Sequence, residues 1–203
     1  MNAVYIYYTP SWQPLVDIVL PVLKDYCRKH KFVLINHDHE GNNEDWAFHK
    51  MNKLLKFVEW TQQTELNIWV LDVDTLITNP NISFKWFIDY EHDIFITRDI
   101  NGINAGSWIM RNTEASKQFL QAIVDNFDEP HEQILMNKFL HMVNVKYLPH
   151  PSINSYRYEL YKDVVDNALS MTHDQGQWEP GDLLLHLPGL TLEKRIEVLQ
   201  EMI

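Results

Sequence analysis

The sequence predicts an α/β fold with a mainly parallel central sheet, and three observations support this prediction. Segments rich in β-branched and aromatic residues alternate with segments that have helical apolar spacing. The 203 residues are 45% apolar and 12% aromatic, which is enough to bury the core of one domain without disulfides. We see no internal repeat, low-complexity tract or linker that divides the chain, so we expect a single domain over residues 1–203. Strands that alternate with helices are typical of a sheet covered on both faces.

The predicted elements follow one another along the whole chain. Pro21 should kink the first helix or mark its true start, Asp45 is an expected N-cap, and Pro130 takes the first position of a later helix. The stretch 149–178 is the least regular, and it is either a substrate-side loop region or a long surface excursion. The predicted strands are 3–8, 32–36, 68–71, 93–97, 107–110, 145–148 and 183–187; the predicted helices are 14–30, 45–61, 84–90, 113–127, 130–142 and 192 to the C-terminus.

Charge and composition exclude several classes of protein. With 17 basic and 28 acidic residues the formal charge is −11, which argues against a main role in binding nucleic-acid phosphates or anionic lipid. A phosphate-bearing substrate would need local help from a metal, a few cations or backbone amides. Cys27 is the one cysteine, so no intramolecular disulfide can form, and we interpret it as a small buried core residue. No signal peptide or membrane span is visible, and we expect a cytoplasmic protein.

An acidic pair follows the third predicted strand, in the sequence IWVLDVDTL. Ligands of open α/β sheets bind outside the carboxyl ends of the strands. Side chains at positions i and i+2 of an extended segment point the same way, so Asp72 and Asp74 can converge on one cation. Two carboxylates suit Mg²⁺ or Mn²⁺, which also take phosphate oxygens of a substrate. The alternative interpretation is a pair of solvated turn residues.

The same pair partly imitates the D-x-D-x-T motif of haloacid-dehalogenase-type phosphatases. In such an enzyme Asp72 would be the nucleophile and Asp74 the general acid. That motif normally lies on the first strand, whereas at least two strand-like segments precede it here. The late acidic motif is also missing, because Gly181-Asp182 is followed by LLLH. The phosphatase interpretation is therefore the weaker one.

Six segments, taken in order, resemble glycosyltransferase family 34, the galactosyl/mannosyl/xylosyltransferase family. The resemblance as a whole extends from about residue 4 to 195, and glycogenin-like family 8 enzymes share several of these segments. The resemblance implies a GT-A fold, a Rossmann-like nucleotide-diphospho-sugar transferase domain with a mainly parallel sheet. The segments are LKDYCRKHKF at 23–32, WAFHK at 46–50, WVLDVDTLITNP at 69–80, INAGSWIMRN at 103–112, HEQ at 131–133 and HLPG at 186–189.

The resemblance also implies a metal site and a donor site. Asp72 and Asp74 would hold Mn²⁺, with Mg²⁺ as the other option, and His186 would complete the ligand set, although a histidine in LLLHLPG can also be a core residue. Lys50 would place a cation near the donor diphosphate or sugar, unless it is an ordinary exposed helix lysine. Many family members carry a lysine shortly after the glycine that corresponds to Gly189. This chain has Leu-Thr-Leu there, and Lys194 is the substitute.

The remaining expected site residues would surround the transferred sugar and the nucleotide. Asn104 and Gly106 would lie beside the sugar, with Gly106 allowing close approach of the backbone. Glu132 and Gln133 would lie near the anomeric centre, although Glu132 can also be a simple first-turn helix acid. Tyr8 or Thr9, at the end of the first strand, would contact the base or ribose.

These expectations combine into one functional prediction. The chain should be a metal-dependent, retaining glycosyltransferase that moves a hexose or pentose from a UDP- or GDP-linked donor to an acceptor hydroxyl on a glycan, a protein or a small molecule. The alternative is a non-catalytic protein that binds a nucleotide sugar. Eukaryotic family members usually carry an N-terminal membrane anchor and a stem, whereas this chain starts at the first strand. Either a microbial or viral cytosolic enzyme or a chain trimmed to its catalytic domain would explain this start. Loops around 37–44 and 149–180 should determine the acceptor.

Overall fold

The computed structural model describes residues 1–38, 45–61, 65–128, 131–161 and 176–203. Within these ranges the strands and helices alternate as the sequence predicts. The strands are β1 (Asn2–Tyr8), β2 (Val33–Asp38), β3 (Asn67–Leu71), β4 (Thr75–Ile77), β5 (Ile94–Asp99), β6 (Gly102–Arg111), β7 (Val145–Tyr147), β8 (Ser155–Tyr156) and β9 (Leu184–His186). The helices are α1 (Gln13–His30), α2 (Trp46–Thr61), α3 (Glu114–Asp125), α4 (Glu132–Phe139) and α5 (Leu192–Met202).

The main sheet has six strands in the order β2-β1-β3-β6-β5-β7. Its pairs are parallel, except that β6 runs antiparallel to both of its neighbours, β3 and β5. This confirms the predicted α/β class with a mainly parallel sheet. A second, small sheet has the order β4-β9-β8, in which β4 and β9 are antiparallel and β8 is parallel to β9.

Side chains of the main sheet fill two cores, one on each face. Alternate residues of β1 show this directly, because Val4 and Ile6 pack with α1 and α5, whereas Ala3 and Tyr5 pack with α2, α3 and α4. This period of two is what a strand buried on both faces requires. Cys27 is buried in the first of these cores, as expected.

A few element boundaries differ from the prediction. The helix α1 runs without interruption through Pro21, which lies on its exposed face, so Pro21 does not mark a helix start. There water can satisfy the carbonyl group that a proline leaves unpaired. The helix predicted over 84–90 is a single 3-10 turn, Phe84–Phe87. The short strands β4 and β8 were not predicted, because two or three residues carry too little periodicity. Pro130 and much of the stretches 37–44 and 149–178 lie outside the described residues.

The topology places the ends of β1 and β3 side by side. Ile6 pairs with Leu71 in parallel register, so the residues that follow both strands lie at one edge of the sheet. That edge is where an open α/β sheet binds its ligands. None of the helices in the described ranges is long and apolar enough to cross a membrane.

Tyr26 ties α1 to the segment that follows β4, and its removal tests how that segment is held. Its buried hydroxyl donates to the carbonyl of Ile82 at 3.1 Å and accepts from the amide of Phe84 at 2.9 Å. Tyr26→Phe leaves both groups unpaired, which should lower the free energy of unfolding by about 1–3 kcal/mol. Tyr90→Phe is the matched control, because Tyr90 is 87% exposed. Urea unfolding of both variants measures the difference, and equal stabilities would contradict the assignment.

Candidate active site

The turn that carries the acidic pair is fixed by its neighbours on both sides. The amide of Asp72 donates to the carbonyl of Gly106 at 2.8 Å, which extends the pairing of β3 with β6. The hydroxyl of Thr75 donates back to the carbonyl of Asp72 at 2.7 Å. The amide of Leu187 donates to the carbonyl of Asp74 at 3.0 Å, and this bond joins the turn to the end of β9. The backbone of the D-x-D turn is therefore held in one conformation before any ligand binds.

The pairing of β4 with β9 brings His186 to the acidic pair. Thr75 lies opposite His186 in that pairing. One ligand atom each of Asp72, Asp74 and His186 lies within 4.8 Å of the other two. The structure thus brings together the three residues that were predicted to hold a metal. A separation of this size is compatible with one ion between the three groups.

The ring of His186 is oriented by a buried amide. Its Nδ1 lies 2.7 Å from Oδ1 of Asn154, and the Nδ2 group of Asn154 donates to Thr97 and to the hydroxyl of Tyr156. Since an amide oxygen only accepts, Nδ1 of His186 carries the hydrogen. In the neutral ring, Nε2 then keeps its lone pair, which a metal ligand requires.

The surroundings of Asp74 also fit a bound cation. Its buried Oδ1 has no hydrogen-bond partner among the described residues, and it lies 3.3 Å from Nε2 of His186. Its other oxygen, Oδ2, is paired with Nη2 of Arg195 at 3.0 Å. Burial alone would raise the pKa of Asp74, but His186 in its protonated form and Arg195 hold the pKa of its carboxyl below the ordinary value. Two electron-pair donors that face each other in a buried site fit a shared divalent ion.

Lys50 is a buried counter-ion of two carboxylates. It is 0% exposed, and its Nζ lies 2.6 Å from Oδ1 of Asp72 and 2.5 Å from Oε1 of Glu132. Burial opposes its charge, but Asp72 and Glu132 raise the pKa of Lys50 above its ordinary value, so it stays protonated. Such a cation offsets part of the negative charge that Asp72, Asp74 and Glu132 concentrate here.

Two cavities meet at the acidic pair. The polar cavity, of about 380 Å³, lies on the side of β6 and α4. The aromatic cavity, of about 310 Å³, lies at the end of β1. Their shared wall consists of Trp46, Asp72, Asp74, His131 and Arg195. The candidate metal ligands therefore lie where a ligand spanning both cavities would cross.

The structure brings most of the predicted site residues to these cavities. Tyr8 and Thr9 line the aromatic cavity, where Tyr7 and Trp12 join them. The residues that line the polar cavity include Asn104, Gly106, Glu132, Gln133, His186 and Gly189. Lys50 and Lys194 are in neither wall. Lys194 instead lies on the exposed surface of α5 and pairs with Glu197 at 2.7 Å.

Two of the polar side chains in the polar cavity are oriented by the backbone of β6. Asn104 accepts from the amide of Gly106 at 2.9 Å, and its Nδ2 donates to Tyr156 and Asp99. Gln133 accepts from the amide of Ala105 at 3.1 Å through Oε1. Gln133 lines the cavity, and its Nε2 group can donate to a ligand there, whereas Asn104 is engaged mainly with protein groups.

Several residues of the site were not singled out from the sequence. Arg195 and Asn154 contact Asp74 and His186, and Trp46 and His131 form part of the shared wall. Asn154 belongs to the stretch 149–178, and the interpretation of that stretch as a substrate-side loop region was the one indication. Arg195 follows Lys194 on the same helix, and only the direction of each side chain separates the two.

Comparisons with known proteins agree with this geometry. The galactosyl transferase GMA12/MNN10 family matches residues 85–197. No curated protein sequence matches the chain. One similar solved structure is a glycosyltransferase involved in glycosylation of the major capsid of PBCV-1, with a TM-score of 0.75 and 15% identity over 98% of this chain and 99% of that chain. A second is the glycosyltransferase GlyE of Streptococcus pneumoniae TIGR4, with a TM-score of 0.62 and 15% identity over 100% of this chain and 60% of that chain. A third is the galactosyltransferase LgtC, solved with donor and acceptor sugar analogues, with a TM-score of 0.59 and 13% identity over 99% of this chain and 96% of that chain. At these identities the likeness establishes the fold, and the predicted GT-A fold is confirmed.

Gly106 leaves no room for a side chain beside His186. A Cβ atom at this position would lie 2.4 Å from Cε1 and 2.8 Å from Nε2 of His186. Gly106→Ala should therefore displace the ring, weaken Mn²⁺ binding at least tenfold and lower the free energy of unfolding by about 1–3 kcal/mol. Electron paramagnetic resonance of Mn²⁺ and thermal melting measure the two effects.

The clash can be relieved in a second background. In His186→Ala the ring is absent, so adding Gly106→Ala should cost little further stability. An alanine at 106 that leaves Mn²⁺ binding at the wild-type value would show that His186 is not held against Gly106.

Proposed function

The chain belongs to the galactosyl transferase GMA12/MNN10 family, whose match covers more than half of it, and we propose that this glycosyltransferase uses a divalent metal ion to transfer a sugar from a UDP- or GDP-linked donor with retention of configuration. The observation that carries the proposal is the position of the Asp72, Asp74 and His186 cluster. Asp72 and Asp74 lie in the wall that the two cavities share, and His186 lines the polar cavity next to them. A nucleotide sugar has a nucleoside and a sugar joined by a diphosphate, so a donor that spans both cavities places its diphosphate beside this cluster.

The chemistry of the cluster supports Mn²⁺, with Mg²⁺ as the other candidate. Two carboxylates and one neutral imidazole are suitable ligands for Mn²⁺. When bound, such an ion supplies a Lewis acid that stabilises negative charge on the departing diphosphate. The tautomer of His186 that Asn154 selects presents Nε2 for this role.

The aromatic cavity suits the nucleoside. Tyr8 and Trp12 offer aromatic surface for a base, and the hydroxyl of Thr9, which is hydrogen-bonded to that of Ser11 at 2.8 Å, can bond with a ribose hydroxyl. The base and ribose would thus lie at the end of β1, on the opposite side of Asp72 and Asp74 from the polar cavity.

The polar cavity suits the transferred sugar. The Nε2 group of Gln133, which has no partner among the described residues, can donate to one sugar hydroxyl. Glu132 can accept from another through the oxygen that does not contact Lys50. These groups orient the anomeric carbon toward the acceptor, which is the main catalytic contribution of positioning residues.

The arrangement of Glu132 favours attack of the acceptor on the face that the diphosphate leaves. Its ion pair with the protonated Lys50 withdraws negative charge from the carboxylate and makes it a poor nucleophile. In the proposed step the bond from C1 to the diphosphate oxygen breaks while a bond from C1 to the acceptor oxygen forms on the same face. The acceptor proton passes to the leaving diphosphate oxygen, so no protein nucleophile is needed.

We propose further that residues 1–203 form a single GT-A domain and that the stretch 149–180 contributes to acceptor choice. Tyr156 and Asn154 of that stretch already contact Asn104 and His186. The acceptor would be a hydroxyl of a glycan, a protein or a small molecule. A net charge of −11 argues against a nucleic-acid partner.

A panel of nucleotide sugars tests the proposal directly. Many transferases slowly hydrolyse their donor without an acceptor, so one UDP- or GDP-linked sugar should release nucleoside diphosphate with Mn²⁺ and not with a chelator. Asp74→Asn should lower this rate at least 100-fold, because it removes one ligand charge from the metal site. Asp25→Asn is the control, since Asp25 is an exposed residue of α1.

The outcome of the panel separates the two functional alternatives. Metal-dependent binding of a donor without turnover, even when acceptors are supplied, would favour a non-catalytic binding protein. If no donor binds with or without Mn²⁺, the metal assignment of Asp72 and Asp74 is wrong.

A further inference from the structure

The charged side chains that line the two cavities are mostly acidic. Among the described residues that line them, three are carboxylates, namely Asp72, Asp74 and Glu132. The one lysine or arginine among those residues is Arg195, and it lines both cavities. An anionic ligand that spans the cavities would therefore meet Arg195 as the fixed positive charge of the protein.

Arg195 is held in place by three contacts and still has an unused donor. Its Nε donates to the carbonyl of Leu187 at 2.8 Å, its Nη2 pairs with Asp74, and its guanidinium lies 4.8 Å from the centre of the Trp12 ring. The residue is only 7% exposed. Its Nη1 has no partner among the described residues. A nearly buried guanidinium with a free N–H edge in a cavity wall is prepared for an anion.

We propose that Arg195 binds the diphosphate of the donor and is a specificity determinant for nucleoside diphosphates. This inference rests on the proposed function, because it assumes that a nucleotide sugar occupies both cavities. The diphosphate is the part of such a donor that must pass the shared wall, and Arg195 is in that wall. The planar fork of a guanidinium matches two phosphate oxygens, which a lysine cannot do.

The two lysines that the sequence indicated are not placed for this task. Lys50 is sealed between Asp72 and Glu132. Lys194 precedes Arg195 by one residue, and adjacent helix residues do not share a face, so its side chain points away to Glu197. The neighbouring pair Lys194 and Arg195 therefore provides a matched comparison, in which the same charge is removed from two adjacent positions.

Because Arg195 pairs with Asp74, removal of Arg195 should also affect the binding of a metal ion by Asp74. In the structure Arg195 neutralises Oδ2 of Asp74, and it therefore opposes a metal ion for the same carboxylate. Without Arg195 the carboxylate would hold a divalent cation at least as well. A residue that merely supports the site would act in the opposite direction, since its loss would weaken the binding of metal and nucleotide together.

Calorimetric titration of the full chain with Mn²⁺ alone, and with UDP, GDP, uridine and guanosine in the presence of Mn²⁺, tests this inference. Arg195→Gln should weaken binding of the preferred nucleoside diphosphate at least tenfold and change binding of its nucleoside less than twofold. Its affinity for Mn²⁺ alone should be unchanged or higher. Arg195→Lys should be intermediate, and Lys194→Gln should match the wild type in every titration.

Three outcomes would overturn the inference. If Arg195→Gln binds UDP and GDP as the wild type does, Arg195 does not contact the diphosphate, while the proposed function stands. If Arg195→Gln loses Mn²⁺ and the nucleoside diphosphate together, and Arg195→Lys also does, the residue only supports Asp74. If the wild type itself binds neither nucleotide with Mn²⁺, the proposed function fails first.

Discussion

The pairing of β4 with β9 is the constraint on which the site depends. Three residues of β4 follow the D-x-D turn directly, and they pair with residues 184–186 from the far end of the chain. That pairing places His186 beside Asp74 and the carbonyl of Leu187 within reach of Arg195. A small antiparallel sheet thereby joins the metal ligands, and the main sheet holds them at the ends of β1 and β3.

The charges of the site are balanced by groups from distant parts of the chain. Asp72 and Glu132, which are 60 residues apart in sequence, share the buried Lys50, and Asp74 is shared by His186 and Arg195. Breaking a buried ion pair by removing one partner costs about 3–5 kcal/mol, so Lys50 and Arg195 contribute to stability as well as to the charge of the site. Oδ1 of Asp74 and Nη1 of Arg195 are among the groups of the site that have no hydrogen-bond partner in the described residues. One of these groups can take a cation and the other an anion.

Local patterns were sufficient for the fold and for part of the site. Alternation of β-branched and helical segments predicted the sheet, and the spacing of Asp72 and Asp74 predicted their convergence. The link to His186 came from the resemblance of HLPG to a family motif. His186 lies 114 positions after Asp72 and 112 after Asp74, and no local rule connects residues so far apart in sequence. Lys50 shows where local reasoning ends. A lysine on a helix is usually exposed, and its burial follows from Glu132, which is 82 residues further on. Arg195 and Asn154 could not be found for the same reason, since helix spacing does not tell which side chain reaches a distant carboxylate.

The central claim is that Asp72, Asp74 and His186 hold one divalent ion between the two cavities. Anomalous scattering from crystals grown with Mn²⁺ and UDP or GDP tests this claim most directly, because it locates manganese without reference to the protein's activity. The account predicts a single strong manganese peak in contact with all three side chains, with the nucleoside in the aromatic cavity. A manganese peak elsewhere, or Asp72 and Asp74 still paired only with Lys50 and Arg195 while nucleotide is bound, would contradict it.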